Sequence, residues 1–192
     1  MRPLAAIGIA LSLALGIVML PTQQNVAQTP LAAAADTPAV GSDQIPVHTR
    51  EEFAFSVAAP LERALPLFGA VRERDWAPDW SPDVIWPAPA IDREGMVLSV
   101  AHGDKTAVWV NTALDPIAHR VQYVYVIPGV VATVISIGLT PRGADTDVSV
   151  RYERTALAAD ANHVVEGMAV HDRAAGPVWQ RQIKQYLSAR RD

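Results

Sequence analysis

A single long amphipathic helix near the C-terminus, from about Asp160 to Ser188, constrains this chain more than any other stretch. At 100° per residue its apolar positions fall on one side of a helical wheel, whereas Glu166, Arg173 and Lys184 fall on the other. Such a stripe has to be buried against other structure. The stripe consists of Val164, Met168, His171, Ala175, Val178, Trp179, Gln182 and Tyr186.

Two features interrupt this helical pattern. Pro177 falls on the outer face and removes one helix hydrogen bond, so it predicts either a kink or the start of a second helix. His171 and Gln182 are polar side chains on the apolar stripe. Either each is hydrogen-bonded within or beside the core, or both point into a cavity that the helix closes. The residues alone leave both interpretations open.

The region before the helix contains short segments in which apolar and polar residues alternate. This period of two is typical of strands with one buried face. Val148, Val150 and Tyr152 give the clearest example, and we expect them to face inward. Short turns separate the segments, which favours an antiparallel sheet. The predicted strands cover residues 48–57, 96–100, 106–112, 120–127, 131–139 and 147–153.

Two short helices are predicted directly after the first strand. Pro60 suits a first helical turn, and Leu61, Leu65 and Phe68 follow it at helical spacing. A second short helix is expected over residues 72–77. The predicted fold is therefore α+β, with six to seven antiparallel strands curved around the long C-terminal helix. An eight-stranded lipocalin barrel ranks second, because it would not place a helical pair after its first strand.

Tryptophans four residues apart between prolines follow the second short helix. Trp76 and Trp80 belong to the segment RDWAPDWSP at residues 74–82, and Trp86 follows before Pro87. Such rings either cap one end of the core or form the aromatic rim of a pocket, and one corner can do both.

The N-terminus predicts export from the cytoplasm. Arg2 precedes an uncharged apolar run from Leu4 to Leu20, which Pro21 ends. Residues 1–35 are predicted to be either a cleaved signal or a retained membrane anchor, and residues 36–45 a flexible linker. The folded domain is then expected over residues 46–190, in the periplasm, outside the cell, or tethered to a membrane through residues 4–20.

The composition excludes several classes of function. The chain has no cysteine, which rules out disulfides, thiolate nucleophiles and cysteine metal sites. Its net charge of −4 does not indicate a nucleic-acid surface. We find no phosphate-binding loop, dinucleotide fingerprint or serine nucleophile elbow. The five histidines lack the spacing of zinc ligands, and we therefore expect neither a metal nor a cofactor.

The order of the predicted elements resembles the helix-grip or SRPBCC superfamily, which includes START lipid-transfer domains, pollen-allergen-like ligand binders and polyketide cyclases. The resemblance covers about residues 48–187. It is carried by FAFSVAAP at 53–60, RDWAPDWSP at 74–82 and WQRQIKQYL at 179–187. It implies a cavity between the sheet and the long helix, lined by apolar and aromatic side chains, without a universal set of catalytic residues.

These patterns lead us to predict a monomeric binder or carrier of a small apolar or lipid-like molecule. Two alternatives stay open. One is a cyclase-, aromatase- or hydratase-type enzyme, whose polar groups would come from His171, Tyr123, Tyr125 and Gln182. The other is an envelope interaction module with a filled core. The predicted cavity lining is Trp76, Trp80, Tyr123, Tyr125, Val164, Met168 and His171, with no catalytic residue assigned.

Overall fold

The computed structural model describes residues 45–190. The predicted leader, residues 1–35, and all but the last residue of the predicted linker, residues 36–45, lie outside the described residues. None of the helices in the described part of the chain has both the length and the hydropathy that a membrane span requires.

Seven antiparallel strands form one sheet in the order β1-β7-β6-β5-β4-β3-β2. The strands are β1 His48–Val57, β2 Asp83–Trp86, β3 Val97–His102, β4 Lys105–Asp115, β5 Arg120–Ile127, β6 Val131–Arg142 and β7 Asp145–Ala156. The helical elements are α1 Leu61–Ala64, which continues as the 3-10 turn Leu65–Phe68, the 3-10 turns Arg72–Asp75 and Ala159–Ala161, and α2 Asn162–Ser188.

The inner face of the sheet follows from the period-two alternation. Val148 and Val150 are each only 1% exposed, and Tyr152 is buried beside them on β7. Ser149 between them is exposed on the outer face. The predicted direction of this strand is confirmed, and it matters because a slip of one residue would turn every side chain to the opposite face.

The long helix α2 packs mainly against β1. The two elements approach closely at Gly176, where a Cβ atom would lie 3.2 Å from Cδ2 of Phe53. Pro177 is exposed on the outer face, as predicted. The helix nevertheless runs through this residue from Asn162 to Ser188. The alternative in which a second helix begins at Pro177 is therefore wrong.

The predicted fold class is confirmed, since a curved antiparallel sheet holds a long C-terminal helix and short helices follow the first strand. Two details differ from the prediction. The second short helix is a single 3-10 turn, Arg72–Asp75. The segment Asp83–Trp86, expected only as part of an aromatic corner, forms the edge strand β2 and pairs with β3.

Candidate functional site

A cavity of about 210 Å³ lies between the inner face of the sheet, the 3-10 turn Arg72–Asp75 and the second half of α2. Aromatic rings form much of its wall, and several ionisable or amide side chains share it. The aromatic lining residues are Trp76, Trp80, Trp109, Tyr123, Tyr125, Tyr152 and Trp179. The polar lining residues are Glu73, Asp79, His102, Arg154, His171, Asp172 and Gln182.

The tryptophan corner forms one wall of the cavity and is held by the backbone of the preceding helical turns. Trp76 Nε1 donates a hydrogen bond to the carbonyl oxygen of Leu67 at 2.7 Å. Trp80 Nε1 donates to the carbonyl oxygen of Ala70, also at 2.7 Å. Because each indole N–H is satisfied within the protein, both rings are fixed in orientation. This corner therefore caps the core and borders the cavity at once.

A stack of rings on the sheet forms the facing wall. Trp109 lies parallel to Tyr125 with ring centroids 4.1 Å apart, and its edge meets Trp80 at 5.3 Å. His102 stacks on Tyr125 at 6.3 Å. The indole nitrogen of Trp109 and Nε2 of His102 are buried without a hydrogen-bond partner among residues 45–190. This wall thus holds hydrogen-bonding capacity that the described residues leave unused.

A buried ion pair joins the long helix to the sheet at the cavity. Arg154 on β7 is 0% exposed and Asp172 on α2 is 3% exposed. The guanidinium donates in a bidentate manner, with Nε 2.6 Å from Oδ2 and Nη2 2.8 Å from Oδ1. Its Nη1 donates to the hydroxyls of Tyr125 and Thr133. Both charges are therefore matched inside the protein.

Burial, together with the charges of the ion pair, sets the protonation of the groups around it. Burial alone would lower the pKa of Arg154, but the hydrogen bond to Asp172 raises it overall, so the guanidinium stays charged. Burial and the nearby Arg154 charge lower the pKa of His102, which favours the neutral ring. Burial and the charge of Asp172 raise the pKa of Tyr152, so its hydroxyl stays protonated.

Glu73 also lines the cavity, but its carboxyl group has a different environment from that of Asp172. It lies on the 3-10 turn Arg72–Asp75, is partly buried and lines the cavity. No described side chain or backbone N–H forms a hydrogen bond or an ion pair with its carboxyl group. Burial, together with the charge of Asp92, raises its pKa to about 8. At neutral pH this carboxyl group is therefore mostly protonated.

The structure brings together five of the seven predicted lining residues. Trp76, Trp80, Tyr123, Tyr125 and His171 all line the cavity, with His171 on its exposed side. Tyr123 is buried and donates its hydroxyl to the carbonyl oxygen of Phe68 at 3.0 Å. The sequence left open whether Gln182 belongs to the core or to a cavity, and this residue also lines the cavity.

The remaining two residues, Val164 and Met168, do not border the cavity. Met168 is 2% exposed and packs in the closed core, where Val165 and Ala169 are buried beside it. The first half of α2 thus buries a slightly different face from the predicted apolar stripe, which begins at Val164. The helix borders the cavity only from His171 onward, so the predicted position of these two residues is corrected.

Most of the polar lining residues were not among the predicted site residues, and three of them, Arg154, Asp172 and Glu73, matter most here. Arg154 continues the inward parity of Val148, Val150 and Tyr152, and Asp172 lies four residues after Met168 on the buried face. Both signals were present in the sequence. Glu73 carries no such signal, because its exposure to the cavity depends on how the short turns pack against the sheet.

Within residues 45–190, no three histidine, aspartate or glutamate side chains are grouped in a way that could hold a metal ion. The charges of Arg154 and Asp172 are matched by the hydrogen bonds between them, so this pair has little capacity left to bind a ligand. The chemistry that this site offers is therefore an aromatic enclosure with one acid left without a partner in the described structure.

No protein family model matches the chain, and no curated protein sequence matches it. Similar solved structures nevertheless exist. Norcoclaurine synthase from Thalictrum flavum is 13% identical, with a TM-score of 0.58 over 88% of this chain and 100% of that protein. The protein Mll3558 from Rhizobium loti is 15% identical, with a TM-score of 0.52 over 72% of this chain and 99% of its own.

A third similar structure, Ara h 8.0201, is 12% identical, with a TM-score of 0.50 over 74% of this chain and 99% of that protein. Norcoclaurine synthase has also been solved in complex with dopamine and hydroxybenzaldehyde. At such low identities these similarities establish the fold alone. That fold is the helix-grip fold, as the sequence predicted.

Proposed function

We propose that the chain binds a small aromatic or otherwise apolar molecule in the cavity between the sheet and α2. The observation that carries this proposal is the cavity itself, about 210 Å³ in volume and walled by aromatic rings. Protein interiors are close-packed and hold few voids larger than a water molecule. An enclosed space of this kind is the usual form of a small-molecule site.

The volume narrows the class of ligand. A cavity of roughly 150 Å³ is enough to hold benzene, and drug-sized pockets begin at roughly 300 Å³. The cavity of about 210 Å³ therefore suits a single substituted ring better than a lipid chain. Norcoclaurine synthase, which has a similar fold, has been solved with dopamine and hydroxybenzaldehyde, and this supports a ligand of that size.

The same geometry argues against the two alternatives, an interaction module with a filled core and an enzyme. An interaction module with a filled core would not need a cavity between the sheet and α2. An enzyme would need free polar groups that converge on a substrate. Tyr123 and Tyr125 engage their hydroxyls with Phe68 and Arg154, which leaves them poorly placed as catalysts. Binding of a small molecule is therefore the function that the site supports best.

The test is a calorimetric titration of the full chain with benzyl alcohol, a neutral single-ring probe. We expect saturable binding by the wild type and loss of binding by Ala175→Trp, because Ala175 lines the cavity and the larger ring fills it. Val170→Trp is the matched control, since Val170 on the same helix is 57% exposed and does not line the cavity.

Each variant must first show a cooperative melt, and Val178→Trp replaces Ala175→Trp if the latter does not fold. Absence of binding by the wild type would overturn the proposal. Binding that survives the cavity-filling variant would place the probe elsewhere and would overturn it equally.

We also propose that the domain works outside the cytoplasm, released by cleavage or tethered by the apolar run from Leu4 to Leu20. The support is the sequence of the leader alone. Fractionation of the native host, with the intact mass of the isolated chain, tests this. An exported chain is expected in the envelope or the medium, and uncleaved chain confined to the cytoplasm would refute export.

A further inference from the structure

The carboxyl group of Glu73 lines the cavity, and a purely apolar ligand could not form a hydrogen bond or an ion pair with it. Its carboxyl group lines the cavity without a hydrogen bond or ion pair to any described residue. Burial raises the pKa of both Tyr123 and Tyr152, and the charge of the nearby Glu73 raises each of them further. An unpaired carboxyl group in a partly desolvated site is costly, and such groups are rarely kept unless a partner is supplied.

The rings around Glu73 supply a second feature that points to the same class of partner. Trp80 and Trp109 meet edge to face at 5.3 Å, and Trp109 stacks on Tyr125 at 4.1 Å. Trp76 forms the wall only three residues after Glu73. The faces of tryptophan rings attract cations, and Trp76, Trp80 and Trp109 line the cavity. Arg154 already lies over the rings of Tyr125 and Tyr152, so the tryptophans are the rings left to meet a ligand cation.

The charges that line the cavity agree with a positive ligand. On β7 and α2, Arg154 is neutralised by the bidentate contact with Asp172. On β3, burial and Arg154 keep His102 neutral by lowering its pKa. Burial raises the pKa of Tyr123 and Tyr152, so both hydroxyls stay protonated. His171 lies on the exposed side. Glu73 is then a carboxyl group in the cavity wall that no described cation neutralises.

We propose that the ligand of this cavity is a small organic cation, an amine carried on an aromatic or apolar body, whose ammonium group pairs with the carboxylate of Glu73. This inference rests on the proposed binding function and names the ligand class. Pairing requires an ionised carboxylate, so a Glu73 that is protonated before binding releases its proton to solvent. The aromatic walls pack against the apolar body of the ligand, and the face of an aromatic ring makes a cation–π contact with the ammonium group.

The experiment compares benzylamine with benzyl alcohol, which has the same ring and nearly the same size without the charge. Both are titrated by calorimetry into the full chain, as wild type, Glu73→Gln and Glu62→Gln. Glu62 is exposed on α1 and lines no part of the cavity, so its variant is the matched control. Glu73→Gln removes an unpaired acid, and it is therefore expected to fold.

We expect the wild type and Glu62→Gln to bind benzylamine at least about tenfold more tightly than benzyl alcohol, the size of effect typical of a charge-assisted hydrogen bond. Glu73→Gln should lose that preference. In the wild type the preference should also grow between about pH 6 and pH 8, because Glu73 ionises over this range. The variant should show no such growth.

Two outcomes contradict the inference in different ways. If benzyl alcohol binds as tightly as benzylamine, or if Glu73→Gln keeps the preference, the cation is rejected while the binding function stands. If neither probe binds the wild type, the binding function fails, and the inference fails with it.

Discussion

Asp172 on the long helix and Glu73 on the short 3-10 turn line the same cavity, yet the protein treats the two acids in opposite ways. Asp172 receives two hydrogen bonds from the buried guanidinium of Arg154. Glu73 receives none from any described residue, and burial raises its pKa to about 8. The acid on one side of the cavity is thus paired with a cation, and the acid on the other side is not.

The difference separates a structural role from a binding role. A buried charge that is fully paired ties two elements together and has little left to offer a ligand. A partly buried charge without a partner destabilises the empty protein and gains the most when a ligand supplies the partner. The Arg154–Asp172 pair therefore joins α2 to the sheet, whereas Glu73 is the group that we propose meets the ligand.

The most disruptive change is expected at the paired side. Arg154→Met should lower the free energy of unfolding by about 3–5 kcal/mol, because it leaves Asp172 charged, buried and unpaired. Urea denaturation measures this loss. Arg151→Met is the control on the same strand, since Arg151 is partly exposed and pairs with Glu52 at the surface. It should cost no more than about 1 kcal/mol.

A double variant sharpens this assignment. Arg154→Met combined with Asp172→Leu removes both charges and should recover much of the stability that Arg154→Met loses. Losses that simply add in the double variant would show that the two side chains do not act as a pair, and the structural role of this side would be withdrawn.

The unpaired side should appear in the pH dependence of stability. The unfolded chain ionises Glu73 near its ordinary pKa of 4.5, whereas the folded chain keeps the proton up to a pKa of about 8. The folded state therefore binds more protons between these values. Stability from this group is full below 4.5 and is lost as the pH rises towards 8, at most by about 1.4 kcal/mol per pH unit.

Urea denaturation across this pH range checks the sign. Glu73→Gln should flatten the decline, and Glu62→Gln should leave it unchanged because Glu62 is exposed. Parallel profiles for the wild type and Glu73→Gln would mean that the folded protein does not raise the pKa of this acid.

A smaller effect is expected at Tyr123, whose ring borders the cavity while its hydroxyl is satisfied by the carbonyl oxygen of Phe68. Tyr123→Phe leaves that oxygen unpaired and should cost about 1 kcal/mol in urea denaturation. Tyr186→Phe, whose hydroxyl contacts lie at the surface, should change stability by no more than about 0.5 kcal/mol. Equal losses would show that the Tyr123 hydroxyl is not satisfied in the way described.

Local patterns predicted the fold because one rule governed each element. Alternation placed Val148, Val150 and Tyr152 inward, and helical spacing defined α2 within a few residues. The same alternation extends to Arg154, and a charge at an inward position requires a partner. The ion pair could therefore be predicted from the sequence, but the predicted strand, residues 147–153, ends one residue before Arg154.

Other features could not be predicted, because they depend on tertiary packing. Glu73 meets the cavity only because the short turns fold over the open end of the sheet. The face that α2 buries shifts along its length, which removes Val164 and Met168 from the cavity wall. Edge strand β2 lies in a segment rich in proline and tryptophan that has no clear alternation.

The most direct test of the central claim uses the five tryptophans as reporters. Four of them, Trp76, Trp80, Trp109 and Trp179, line the cavity, whereas Trp86 is 46% exposed and lies outside it. Benzyl alcohol is titrated into the ¹⁵N-labelled full chain, and the indole N–H signals are followed by NMR. We predict that the four cavity signals shift along one saturation curve while Trp86 stays in place. A shift of Trp86 alone, or no shift of any indole signal at a large excess of the probe, would contradict a ligand site in this cavity.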